Sequence, residues 1–120
     1  MQVPILKQGP YLIATFQSAL ADADFLSLRN AVMEQVGRYR SRGVIMDVTA
    51  LDVMDSFACR TLRDLAHMIR LRGAETVIVG IQPEVAFTIV QLGLALDGVV
   101  TALDLEEGLA YLDRKNQKLS

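Results

Sequence analysis

The run Met46-Asp47-Val48-Thr49-Ala50-Leu51-Asp52-Val53-Met54-Asp55-Ser56-Phe57 concentrates the chemistry of this chain. An apolar stretch leads into an acidic loop, and the loop delivers one serine to the first turn of a helix. A helix N-terminus has unpaired backbone N–H groups and the positive end of the helix dipole. A hydroxyl there is well placed to carry a phosphate. Arg60, Arg63, His67 and Arg70 follow Ser56 at steps of four, three, four and three residues. All five therefore share one polar helix face. Arg60, one turn along, could meet a phosphate on Ser56 or an acidic partner surface. A plainer account fits the same residues: Ser56 only caps the helix, and the arginines form a solvated face suited to the helix C-terminus.

Asp47, Asp52 and Asp55 admit two accounts as well. Three carboxylates near one loop could bind Mg²⁺, or they serve the turn and the cap, which is their commoner use. A phosphate added beside them would meet like-charge repulsion, so phosphorylation could change a partner's affinity by charge alone. Thr49 and Thr61 are further hydroxyls that a kinase could use. His67 has no second His or Cys with which to share a metal. Cys59 reads as a small buried hydrophobe rather than a reactive thiol. There is no phosphate-binding glycine loop, no GxGxxG and no nucleophile elbow, so catalysis finds little support.

These residues need a scaffold, and the hydropathy pattern supplies one. Val3 to Gln8 and Tyr11 to Phe16 read as strands joined by the turn signal Gly9-Pro10. Asp22 or Asp24 can cap a helix running to about Arg40, with Phe25, Leu28, Val32, Val36 and Tyr39 at helical spacing. Gly43 closes the connection to Val44–Val48, a short apolar run typical of a strand covered on both faces. The second helix spans Ser56 to about Leu71. Its core stripe is Ala58, Leu62, Leu65, Ala66 and Ile69, and Gly73 stops it. Thr76 to Ile81 is the next strand. Pro83 opens a third helix ending near Leu96. Val99 to Ala102 is the last strand, and Asp104 with Glu107 resembles a capping box for a final helix. Residues 113–120 are polar and are expected to fray.

The alternation predicts an α/β domain, a mixed and mostly parallel sheet of about five strands with about four helices and an antiparallel N-terminal hairpin. Residues 1–120 read as one domain. In such sheets ligand and switch residues sit beyond the carboxyl ends of the strands, which is where Ser56 falls. The third helix is apolar nearly all round. Val85, Ala86, Ile89, Gly93 and Leu96 can face the sheet, which leaves Phe87, Val90 and Leu94 for an oligomer contact or for another element of the same domain.

Composition bounds the function further. A net charge of −2 argues against nucleic acid as the main ligand. A hydrophobic share of 52% leaves apolar surface available for a partner. A single cysteine forms no internal disulfide and fits a reducing compartment. No apolar run is long enough to span a bilayer, and the opening residues lack a signal-peptide pattern. The expectation is a cytoplasmic protein with no membrane partner.

The residues Val44 to Phe57 resemble the signature of the STAS domain, the sulfate-transporter and anti-sigma-factor-antagonist family. In that family a strand ends in Asp, a Ser or Thr follows, and an Asp-Ser pair opens the next helix. Here those are Asp47, Thr49 and Asp55-Ser56. The segments Gly80-Ile81-Gln82-Pro83-Glu84-Val85-Ala86 and Thr101-Ala102-Leu103-Asp104-Leu105-Glu106-Glu107-Gly108-Leu109 resemble the stressosome branch in particular. Family antagonists often have Gly two residues after the switch serine; this chain has Ala58, which fits that branch.

The resemblance implies a non-enzymatic phosphoprotein and scaffold without a cofactor or metal. The unphosphorylated form holds a GHKL-type serine kinase. Phosphorylation of Ser56 releases the kinase, and a serine phosphatase resets the serine. Asp47, Thr49, Asp52, Asp55, Arg60 and Arg63 are the implied partner-binding residues. Large assemblies with STAS paralogues carrying N-terminal sensor domains are implied too. Three alternatives remain at this point. One is a stand-alone antagonist that binds an anti-sigma kinase directly. Another is a receiver-like phosphoacceptor using Asp47, although Gly9-Pro10 stands where a receiver needs an acidic pair. The third is a nucleotide-binding domain, against which the missing glycine-rich loop argues.

Overall fold

The computed structural model describes residues 4–17, 20–93, 96 and 98–119. An antiparallel hairpin comes first, β1 (Ile5–Gln8) and β2 (Tyr11–Thr15), turning at Gly9-Pro10. Helix α1 (Asp22–Tyr39) leads to β3 (Gly43–Asp47), α2 (Ser56–Leu71) to β4 (Glu75–Val79), and α3 (Pro83–Gln91) to β5 (Val100–Ala102). Helix α4 (Leu105–Leu119) closes the chain. The sheet order is β1-β2-β3-β4-β5, and every pair after the hairpin is parallel. In-register pairing of Asp47 with Val79 brings the loops after β3 and β4 side by side.

The central strands read as continuous apolar runs because both of their faces are covered. Their side chains alternate between two cores. Leu12, Ala14, Val44, Met46 and Ile78 join Phe25, Leu28, Val32 and Val36 of α1, Leu62, Leu65 and Ile69 of α2, and Val85 and Ile89 of α3. Tyr11, Ile13, Ile45, Val77 and Val79 pack on the opposite face around Leu112 of α4. The buried stripe of α2 is the one its spacing predicts, Ala58, Leu62, Leu65, Ala66 and Ile69.

Four local expectations are corrected. Neither Asp22 nor Asp24 is the N-cap of α1; Ala21 holds that position and donates its N–H to Asp24 Oδ2 at 2.9 Å. That bond holds the Asp24 carboxyl below its usual range. Tyr39 ends α1 exposed rather than in the core stripe. Helix α3 stops at Gln91, not near Leu96. Gly93 adopts φ +66°, a left-handed conformation that cannot continue the helix, and it is exposed rather than set against the sheet. Ala86 is exposed, which leaves Val85 and Ile89 as the buried residues of α3.

The polar C-terminal segment does not fray before Leu119. The Tyr11 hydroxyl donates to Asp113 Oδ1 at 2.6 Å and accepts from Asn116 Nδ2 at 2.8 Å, tying α4 to the second strand. Burial first, and the bond to Asp113 second, push the Tyr11 phenol above its usual pKa. At the start of α4 the capping exchange is offset by one residue. Asp104 Oδ1 accepts from Glu107 N at 2.9 Å, while Glu107 Oε2 accepts from Leu103 N at 3.2 Å.

Candidate functional site

The loop from Val48 to Asp55 is fastened from both ends. Asp47 O accepts from Phe16 N at 2.9 Å, and Val48 N donates to Val79 O at 3.0 Å. Leu51 N closes a turn onto Val48 O at 2.9 Å. Val48, Leu51 and Met54 turn inward and are buried, so the loop carries its own piece of the core. Val53 turns outward and is 76% exposed.

Each carboxylate of the loop has an internal task. Asp47 Oδ1 accepts from Thr49 N at 3.0 Å and from Thr49 Oγ1 at 2.6 Å, a local turn closed by the side chain. Asp52 Oδ1 accepts from Gln82 Nε2 at 3.4 Å. The same amide donates to Thr49 O at 2.7 Å and joins the loop to the start of α3. Asp55 Oδ1 accepts from Ala58 N at 2.8 Å. Among the described residues no group of three His, Cys, Asp or Glu side chains is placed to hold a metal ion.

Gly80 makes the close approach of the two loops possible. Its φ is +82°, and a Cβ added there would collide with Thr49 Oγ1. A side chain at that position would be strained by its backbone and would displace Thr49 from Asp47. The Gly80 and Gln82 contacts are absent from any reading of the Val44–Phe57 segment by itself. The sequence marks both residues only through the family-like segment Gly80 to Ala86, which does not point to Thr49.

The N-cap of α2 is Asp55, so the account in which Ser56 is the cap is not the one observed. Ser56 is the first helical residue and is exposed, and its hydroxyl bonds to no described residue. By helix geometry the N–H groups of Ser56 and Phe57 lack intrahelical acceptors. An anion on Ser56 would therefore sit at the positive end of α2, flanked by carboxylates already held in place.

The polar face of α2 is as the spacing predicts, with Ser56, Arg60, His67 and Arg70 exposed and Arg63 half-buried. Arg60 makes no ion pair or hydrogen bond with a described residue. Arg63 pairs with Asp64 at 3.3 Å, and Arg70 Nη2 donates to Gly98 O at 2.7 Å. Thr61 is only 8% exposed, so its hydroxyl is closed to an enzyme, whereas Thr49 is exposed. Cys59 is buried beneath the site. Burial first and the Asp55 charge second push its thiol up, which keeps it protonated and inert.

An open groove of about 320 Å³ runs beside the serine. Leu20, Asp22 and Phe25 at the start of α1 form one wall, and Leu51, Val53 and Asp55 form part of the other. Val53 and this groove were not singled out by motif or spacing. On α3, Phe87 is 66% and Val90 is 80% exposed, so no described element of the chain covers them. Leu94, the third member of that face, lies outside the described residues. No described helix is long and apolar enough to cross a membrane.

Comparison with known proteins matches this arrangement to a family. Residues 2–107 match the STAS domain. The RsbT co-antagonist protein RsbRA of Bacillus subtilis is 33% identical over 108 residues, covering 87% of this chain and 38% of RsbRA. Its paralogue RsbRD is 30% identical over 84 residues, 70% of this chain and 30% of RsbRD. The chain thus spans well under half the length of these relatives. Among solved structures, a serine-to-glutamate variant of RsbS from Moorella thermoacetica superimposes with a TM-score of 0.83 at 31% identity, covering 96% of this chain and 97% of that one. A chain from the molecular architecture of the stressosome, a signal integration and transduction hub, gives 0.77 at 30% identity, over 94% and 98% of the two chains. Unphosphorylated SpoIIAA, an anti-sigma factor antagonist, shares the fold at 13% identity with a TM-score of 0.69, over 95% and 97%. The chain belongs to the STAS-domain family, in the branch that contains the RsbR and RsbS proteins.

Proposed function

We propose that this protein is a non-catalytic, phosphorylatable antagonist and scaffold of a stress-signalling assembly, and that Ser56 is its switch. The observation that carries the proposal is the division of labour at the start of α2: Asp55 caps the helix, which leaves the Ser56 hydroxyl exposed and uncommitted. The RsbR relatives are co-antagonists of a partner, RsbT. Antagonism of a partner is the activity carried over to this chain, and the family resemblance supplies the partner's class, a GHKL-type serine kinase. The solved RsbS variant bears a glutamate in place of a serine, which is the kind of charge that phosphorylation introduces.

In this reading the unmodified site holds the kinase through Val53, the neighbouring groove and the polar face of Arg60 and Arg63. Asp47, Thr49, Asp52 and Asp55 fix the loop and set its negative field. The kinase transfers a phosphoryl group to Ser56 Oγ. The product adds about −1.5 to −2 charges beside Asp52 and Asp55. Repulsion and the loss of one interface contact release the kinase without a change of fold, and a serine phosphatase reverses the step. Phe87, Val90 and Leu94 are assigned to contacts with STAS paralogues in a larger complex. Residues 1–120 act as one domain, placed in the cytoplasm.

The charge mechanism predicts opposite behaviour for two variants. Ser56→Asp lowers affinity for the kinase by on the order of 10²-fold, equivalent to about 2.7 kcal/mol. Ser56→Ala keeps the kinase bound and blocks its release. Equal affinity of the two variants in a binding titration would contradict the mechanism. The receiver-like alternative loses ground because Asp47, its would-be phosphoacceptor, is engaged twice by Thr49.

A further inference from the structure

The opposite pole of the sheet, at the amino ends of the parallel strands, carries a second cluster that the switch does not use. A cavity of about 280 Å³ there is lined by Gly37, Arg40, Ser41, Arg42, Arg72 and Gly73. Arg40 and Arg42 flank the turn between α1 and β3, and Arg72 follows α2. None of the three guanidinium groups pairs with a described residue. Glu75 begins β4 and donates its N–H to Arg42 O at 3.1 Å, yet its carboxylate forms no ion pair with a described residue. Arg38 does not join the cluster; it stacks over the Tyr39 ring at 5.6 Å.

The backbone at this pole is built to hold the arginines in place. Arg42 N donates to Pro10 O at 2.8 Å, and Ser41 N donates to Val36 O at 3.1 Å. Gly37 leaves room for Arg72, since a Cβ there would stand 3.1 Å from Arg72 Nη2. Arg40 is the one non-glycine described residue with positive φ, at φ 50° and ψ 48°. That C-terminal capping conformation favours glycine, so an arginine there is strained. Its guanidinium makes no hydrogen bond or ion pair with a described residue that would offset the strain.

Helix dipoles do not account for the cluster. The C-terminal ends of α1 and α2 both point to this pole, and each carries roughly half a negative charge. Together they offset about one of the three guanidinium charges. About two guanidinium charges then remain, one more than the Glu75 carboxylate at this pole carries, beside a cavity that Val36 also lines. Arginine forks match the planar oxygens of phosphate in paired hydrogen bonds.

The geometry points to an oxyanion site at this pole, formed by Arg40, Arg42 and Arg72 and selective for a phosphate group, either free or carried on a nucleotide. It lies at the far end of the sheet from Ser56 and does not depend on the switch.

Amide chemical-shift titration of the purified chain with inorganic phosphate, at ionic strength held constant with sodium chloride, tests the assignment. Saturable shifts are expected at Gly37, Arg40 to Arg42 and Gly73. Arg40→Gln and Arg72→Gln should each weaken binding about tenfold, while Arg60→Gln at the other pole should leave it unchanged. A parallel titration with ATP separates the sources. Tighter binding with the same residues shifted assigns a nucleotide phosphate, and equal or weaker binding assigns the free ion. Shifts that do not saturate, that centre on the start of α2, or that respond equally to Arg60→Gln would overturn the site. Circular dichroism melts of each variant confirm that the fold is retained.

Discussion

The two poles of the parallel sheet are built on opposite plans. At the carboxyl ends, the side chains around the serine are bonded to one another: Asp47 to Thr49, Gln82 to Thr49 and Asp52, Asp55 to Ala58. One hydroxyl, that of Ser56, is left over. At the amino ends the backbone is pinned, and three arginine side chains are left over instead. A pinned frame around an unused group is the common element, and it is what separates a prepared site from an ordinary polar surface. The carboxyl pole prepares a group to be modified. The amino pole prepares charge to receive a ligand.

The contrast can be broken at its frame. Gly80→Ala puts a side chain against Thr49 at φ +82°, so it should destabilise the fold by about 1–3 kcal/mol. Urea unfolding measures this. A neutral result would mean that the loops are not held together by that contact.

A smaller effect separates cap from switch. Asp55→Ala should cost about 1 kcal/mol through loss of the bond to Ala58 N. Ser56→Ala should stay within about 0.5 kcal/mol. If Ser56→Ala costs as much as Asp55→Ala, the serine shares the capping and is not held in reserve.

The amino pole should respond in the opposite sense. Arg40→Gly removes a strained left-handed arginine, so it should raise stability by up to about 1 kcal/mol while weakening phosphate binding. Loss of stability would show that the arginine supports the fold. Phe87→Glu has the least effect on folding, within about 0.5 kcal/mol, because the ring is already exposed. It should reduce assembly size in light scattering, and an unchanged size would remove α3 from the interface.

How far the sequence discloses this arrangement depends on how local each cause is. Helix α2 is legible from Ser56 to Leu71 because its apolar stripe lies within the segment and a glycine follows it closely. The parallel pairing of the later strands follows from the alternation of elements, whereas their order in the sheet does not. Helix α3 reads too long because Gly93 and Leu96 continue the apolar spacing, while the backbone of Gly93 turns away. The tail reads as frayed because the partner of Asp113 and Asn116 is Tyr11, at the other end of the chain. Cap identity is less legible, since Ala21 rather than an aspartate caps α1 and Asp55 rather than Ser56 caps α2. The arginine cavity is hidden for the same reason as the tail anchor, since Arg72 lies thirty residues from Arg42 in sequence.

The central claim is that Ser56 is held free in order to be phosphorylated. The most direct test is intact-mass spectrometry with site mapping after incubation with the cognate GHKL-type kinase and Mg-ATP. The account predicts one added phosphate, on Ser56, that is absent from Ser56→Ala. No phosphate from a kinase shown to be active on another substrate, or a phosphate mapped to Thr49 instead, would contradict it.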